Sequence, residues 1–201
     1  MVTYSKADSA MGHLCISKMH VPYHYKLFTS KEQHKMVVRS LCRLQESGFY
    51  YGSINGKQAN ALLENEPTGT FLVRDSADIH YFYTISVKTA LGVRNLRIQV
   101  DNNSFYMSTD PMKSDCVPHF DCILKLIKHY MPLGIGAKVT FIYSKGETAP
   151  LELIKPLYHT TSSLQHLCRK QINRDMSAPS ERDQLPVSVQ QYLFDYNETP
   201  R

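Results

Sequence analysis

The sequence predicts an α+β fold, an antiparallel meander of short strands held between helices and followed by a helical segment at the C-terminus. Three observations carry this expectation. Apolar residues recur at helical spacing over 31–46 and again over 119–131. Runs of β-branched and aromatic residues, divided by Gly, Asn and Asp, fill 70–107 between them. Beyond Pro150 and Pro156, which read as brackets of a link, helical spacing returns for about 40 residues, near the lower size limit for folding alone.

Residues 1–24 lack periodicity and are rich in Met, His and Ser, which reads as a flexible tail. A helix then begins near Ser30, where Ser30 and Gln33 have capping-box spacing; Met36, Val37, Leu41 and Leu44 form its stripe and Gly48 ends it. Asn55 and Gln58 give a second capping signal, followed by a short helix through Ala59, Leu62 and Leu63 and a turn at Pro67-Thr68-Gly69. Strands are expected over 70–75, 81–88 and 94–100, with Leu96, Ile98 and Val100 alternating with Asn95, Arg97 and Gln99. Phe105 to Met107 is a short strand, and His119 to Met131 a helix with Ile123, Leu124, Ile127 and Tyr130 on one side. Lys138 to Tyr143 is the last strand. The order places one helix on each face of the sheet.

Composition excludes several classes. The 201 residues are 42% hydrophobic and 20% charged, as in a soluble globular protein. No run reaches the roughly 18 apolar residues of a membrane span, so no membrane insertion is expected. Ser5, Lys6, Asp8 and His13 break any signal-peptide core. Five cysteines without C-x-x-C then read as reduced thiols in a cytoplasmic protein. The net charge of +5 is spread along the chain and does not indicate a nucleic-acid partner. No P-loop, G-x-G-x-x-G, H-E-x-x-H or G-x-S-x-G occurs, and Cys168 lacks the loop to an arginine that a phosphotyrosine phosphatase needs. The nine histidines show no metal spacing, and His119, His129 and His166 read as surface or capping residues. The expectation is a non-enzyme with no metal and no cofactor.

Arg74 is the sharpest single residue. Its strand carries Phe71 and Val73 on one face and Leu72 on the other, so an acidic side chain or a ligand anion should pair with the guanidinium. Ser76 adds a hydroxyl, the loop 77–80 supplies amides, and Arg97 points away from the Leu96/Ile98 face toward Arg74 if the strands are neighbours. Such a set fits a dianionic phosphate. Pairing of Arg74 with Asp75 or Asp78 at a strand end is the other reading. In the C-terminal segment, Leu164, Leu167, Cys168 and Ile172 share one helical face, which serves either an internal core or a partner. Before the first helix, Leu27 and Phe28 have the place of a hydrophobic staple.

Phe49-Tyr50-Tyr51-Gly52, Gly69-Thr70-Phe71-Leu72-Val73-Arg74-Asp75-Ser76 and Tyr83-Thr84-Ile85-Ser86-Val87 resemble, in order and spacing, an SH2 domain. The resemblance implies a central antiparallel sheet flanked by two helices, with phosphotyrosine bound by Arg74 and assisted by Ser76 and Arg97. Gly56 stands where many SH2 domains place a second arginine, and Ala77 offers no hydroxyl in the loop. Ser163-Leu164-x-x-x-Cys168-x-x-x-Ile172 resembles the elongin-C-binding helix of a SOCS box, an all-α module. That implies docking of Leu164, Leu167, Cys168 and Ile172 on elongin C, with elongin B. Leu185-Pro186-Val187-Ser188 resembles the Leu-Pro-x-Pro signal that recruits a cullin scaffold, with Ser188 in place of the last proline.

SH2 domain and SOCS box together resemble the suppressors of cytokine signalling. By that resemblance Tyr25, Leu27 and Phe28 belong to a kinase inhibitory segment, 25–36, acting as a pseudosubstrate on Janus kinases. The extended SH2 helix spans 31–46, the SH2 domain 47–145 and the SOCS box 150–197. The implied partners are phosphotyrosine motifs of cytokine receptors, Janus kinases, elongins B and C, and a cullin. A plain SH2 phosphotyrosine adaptor without ligase recruitment is the alternative.

Overall fold

The computed structural model describes residues 28–107, 117–131, 140–144, 147–161, 164–175 and 183–194. Helix α1, Lys31–Ser47, starts where expected. The Ser30 hydroxyl accepts from the Gln33 amide at 3.0 Å, and the Gln33 side chain accepts from the Thr29 amide at 2.9 Å. The return bond of the capping signal is thus displaced by one residue. Gly48 ends the helix in the left-handed region, φ 81. Helix α2, Gly56–Leu63, has the complete capping box between Asn55 and Gln58, both bonds 2.9 Å.

The meander forms β1 (Thr70–Asp75), β2 (Tyr83–Thr89), β3 (Gly92–Val100) and β4 (Phe105–Tyr106), each antiparallel to the next. Helix α3, Ile123–Tyr130, is shorter at its start than the apolar pattern. Phe120 forms a bridge with Phe105, with amide–carbonyl bonds of 2.6 and 2.9 Å, so its backbone is already committed before the helix opens. Strands β5 (Thr140–Ser144) and β6 (Glu147–Leu151) make a separate antiparallel pair, and β7 (Lys155–Pro156) joins β1 in parallel. The main sheet therefore runs β4-β3-β2-β1-β7. Helices α4 (Leu164–Asp175) and α5 (Val187–Phe194) follow.

The prolines expected to bracket a link instead sit inside strands, Pro150 opposite Phe141 in β6 and Pro156 opposite Phe71 at the sheet edge, where a missing N–H costs no ladder bond. The β1–β7 junction depends on Gly69. Its carbonyl accepts from the Ile154 and Lys155 amides at 2.9 and 3.2 Å, its φ is 87, and a Cβ there would stand 2.5 Å from Ile154 Cδ1. Only glycine meets both demands.

One face of the sheet buries Phe71, Val73, Tyr83, Ile85, Val87 and Ile98 against α1 (Val37, Leu41, Leu44) and α3. The other packs Leu72 against Ala59 and Leu63 of α2. A helix thus lies on each face, and α1 shares its side with α3. Cys122 and Cys168 are free thiols, but Cys42 is disulfide-bonded, which corrects the expectation of reduced cysteines throughout. Among the described residues no helix is long and apolar enough to cross a membrane.

Candidate anion-binding site

Strand register builds the site. Arg74 lies opposite Thr84, Thr84 opposite Arg97, and Ser86 opposite Asn95. Residues paired directly across strands share a face, so β1, β2 and β3 collect these five polar side chains on the α2 side. Arg74 is only 5% exposed. Its Nε donates to Ser86 Oγ at 3.2 Å, Nη1 to the Asp75 carbonyl at 2.9 Å and Nη2 to Asn95 Oδ1 at 3.1 Å. All three acceptors are neutral. A guanidinium has five N–H donors, so one remains on each terminal nitrogen, the set a bidentate anion needs. Burial lowers the Arg74 pKa and the nearby Asp75 charge raises it, but a guanidinium stays protonated in proteins.

The Asp75 and Asp78 carboxylates each have hydrogen-bond partners other than Arg74, although the Asp75 charge is near enough to act on the guanidinium. The Asp75 carboxylate accepts from the Tyr50 hydroxyl at 2.5 Å, on the core side of β1. Burial, then the Asp75 charge, holds the Tyr50 pKa well above the usual phenol value. Asp78 serves the loop between β1 and β2. Its amide donates to Ser76 Oγ at 3.1 Å, and its carboxylate accepts from the His80 amide at 3.1 Å and lies 2.9 Å from His80 Nδ1. It also lies 3.3 Å from Arg97 Nη2. The His80 hydrogen bonds, with Arg97 adding, hold its pKa below the usual carboxylate value. The Arg97 guanidinium stands 5.2 Å over the Tyr81 ring.

Of the three residues singled out from the sequence, Arg74 and Arg97 therefore share a face. Ser76 is buried at the start of the loop with its hydroxyl accepting from that loop. Gly56 borders the guanidinium: a Cβ there would stand 3.6 Å from Arg74 Nη2. Sequence reading missed Ser86, Asn95 and Asn60, whose side-chain amide oxygen accepts from Asn95 Nδ2 at 3.1 Å. The alternation placing Asn95 and Arg97 on one face was a usable signal for Asn95, but only with the β1–β2–β3 register in hand.

Tyr25 and Leu27 lie outside the described residues. Phe28 is 40% exposed, stacks on Phe82 at 5.2 Å and meets His34 edge-on at 4.7 Å. It thereby touches both the first turn of α1 and the end of the anion-site loop.

Helix α4 presents its apolar stripe outward. Leu164 is 77% and Leu167 51% exposed, Cys168 is exposed and Ile172 half-buried. Its inward residues are His166 and Arg169, at 3% and 4% exposure. Arg169 pairs with Glu46 of α1 and lies 4.1 Å over the Tyr192 ring of α5. The surface or capping role expected of His166 is thus corrected, because a helix turned this way buries position 166 beside Arg169. On the approach to α5, Leu185 is half-buried, Pro186 and Val187 are exposed, and the Pro186 carbonyl accepts from the Val189 and Gln190 amides. Among the described residues no group of His, Cys, Asp or Glu could hold a metal.

Comparison with known proteins matches residues 49–130 to the SH2 domain family. The chain is 42% identical over 210 residues to Suppressor of cytokine signaling 3 of Gallus gallus, spanning 98% of this chain and 99% of that protein. It is 39% identical over 227 residues to Suppressor of cytokine signaling 3 of Homo sapiens, with the same coverage. It is 35% identical over 164 residues to Suppressor of cytokine signaling 2 of Homo sapiens, spanning 82% of each.

Burial, with the charges of Arg169 and Lys170, lowers the His166 pKa from 6.5 to about 4. The folded state therefore binds fewer protons than the unfolded one between these values, and stability falls as pH drops through that window. Thermal melting should show a smaller loss from pH 6.5 to 4 in His166→Gln than in the wild type. Equal losses would assign the acid sensitivity to other groups.

Proposed function

Since the chain belongs to the suppressor of cytokine signaling family and carries an SH2 domain over residues 49–130, we propose that it is a non-catalytic negative regulator of cytokine receptor and Janus kinase signalling that binds phosphotyrosine through Arg74. The observation that carries this reading is the buried guanidinium, held by neutral acceptors with one donor left on each terminal nitrogen. Two phosphate oxygens accept those donors. Bonds to charged groups contribute roughly 1.5–3 kcal/mol each. Arg97 assists by exchanging Asp78 for the phosphate, and Ser76 shapes the loop that closes over it. Lysine keeps the charge but not the fork. Arg74→Lys should therefore weaken binding of a tyrosine-phosphorylated receptor peptide by at least about tenfold in calorimetry. Undiminished binding would place the pocket elsewhere.

The second arm of the reading is ligase recruitment. An exposed leucine pair on a helix that turns His166 and Arg169 inward supports docking of Leu164, Leu167, Cys168 and Ile172 on elongin C, joined by elongin B. Cys168 acts there as a small apolar group, not a nucleophile. Leu185 and Pro186 meet a cullin, and Ser188 in place of proline tunes that contact. The protein then serves as the substrate-recognition subunit of a ubiquitin ligase, with 150–197 as SOCS box and 47–145 as SH2 domain. Elongins B and C should co-purify with the wild type and be lost with Leu164→Asp. Binding to neither leaves a plain SH2 phosphotyrosine adaptor, and retention by Leu164→Asp would place the elongin contact on another surface.

The third arm is kinase inhibition by residues 25–36, with Tyr25, Leu27 and Phe28 entering the substrate cleft of a Janus kinase and helix 31–46 bracing the phosphotyrosine loop. The protein works in the cytoplasm. The contact of Phe28 with Phe82 supports a link between this segment and the loop beside Arg74. In a kinase assay Phe28→Ala should relieve inhibition while Leu164→Asp leaves it intact. The reverse order would make the C-terminal helix the inhibitory element.

A further inference from the structure

We infer that Asn95, steadied by Asn60, is a positioning residue that presents the Arg74 fork to phosphate while keeping negative charge out of the pocket. The inference rests on the phosphotyrosine reading above and assigns the residues behind it. A guanidinium only donates, so the Asn95 atom 3.1 Å from Arg74 Nη2 must be the amide oxygen. The same oxygen accepts from the Ser86 hydroxyl at 2.6 Å, and that hydroxyl accepts from Arg74 Nε at 3.2 Å. Asn95 Nδ2 donates to Asn60 Oδ1 at 3.1 Å, which fixes the amide in this orientation and ties β3 to α2. Two of the three bonds that hold the guanidinium therefore pass through one amide, directly or by way of Ser86.

Charge explains why an amide suits this place. A carboxylate of the same shape would also accept from Nη2 and from Ser86. It would form an ion pair with the guanidinium and set a negative charge beside the site of a dianion. Asn95 and Asn60 are both exposed, so neither contributes appreciable core packing. Their chemistry is directed at the rim of the site.

The test titrates the full chain with phenyl phosphate, followed by NMR, for wild type, Asn95→Ala, Asn95→Asp and Asn60→Ala, with thermal melting of each. Asn95→Ala should weaken binding by about tenfold, the low end of the effect of one lost hydrogen bond to a charged group. Asn95→Asp should weaken it by more than about 30-fold at low salt, with the excess over Asn95→Ala shrinking as salt screens it. Its melting midpoint should equal or exceed that of Asn95→Ala, because an ion pair to Arg74 stabilises the fold while blocking the ligand. A purely structural role would move binding and melting together. Asn60→Ala should show a smaller loss in the same direction, and it stands in if Asn95→Ala does not fold. Wild-type affinity in Asn95→Ala, or equal affinities of Asn95→Asp and Asn95→Ala across salt, overturns the positioning role and leaves the phosphotyrosine reading standing. Failure of the wild type to bind phenyl phosphate overturns that reading itself.

Discussion

A guanidinium taken out of water has to be compensated, and at Arg74 the compensation comes from a backbone carbonyl, a hydroxyl and an amide in place of a carboxylate. This choice constrains much of the domain. The acceptors sit on three strands, so β1, β2 and β3 must keep one register; a slip of one residue would send Ser86 or Asn95 to the opposite face. The amide is oriented by Asn60, so α2 must start where its capping box starts it. Burying a charge whose hydrogen bonds all go to neutral acceptors is unfavourable for stability. The arrangement makes sense when a further negative charge arrives on another molecule.

The other acidic side chains near the site are turned to different tasks. Asp75 faces the core and takes the Tyr50 hydroxyl, and Asp78 orders its own loop through His80 and engages Arg97. The two arginines on the shared face are therefore in different states. Arg74 is held by dipoles, and Arg97 by an exposed ion pair of the sort that contributes little to stability and exchanges readily. An incoming anion meets one fixed donor set and one that moves.

What was legible in the sequence was mostly local. Both capping signals depend on residues three apart, and both gave the N-cap bond, with the full box closed only between Asn55 and Gln58. Arg74 stood out because a charge in an apolar strand demands an explanation. The residues that hold it did not, because Ser86 and Asn95 become its neighbours only through cross-strand register. Strands β6 and β7 were hidden by prolines, which break the strand pattern but are harmless on an edge. The first turn of the expected helix at 119 was lost to the Phe105–Phe120 bridge, a contact between distant residues. Helical spacing at 164–172 located a stripe and could not say which way it faces; the pairing of Arg169 with Glu46, far away in the chain, decides that.

The few residues at the end of α1 and just after it are gripped from the C-terminal side at several points. Glu46 pairs with Arg169, the Gly48 carbonyl accepts from the His159 amide at 3.0 Å, and the Tyr50 carbonyl lies 2.7 Å from His159 Nε2. Tyr50 in turn bridges to Val73, the neighbour of Arg74 in β1. Cargo seated at the arginine and a companion seated on the leucines of α4 would thus share one frame. The bearing of each toward the other is inherited from hydrogen bonds and not from the slack of a tether, so reach is exchanged for aim.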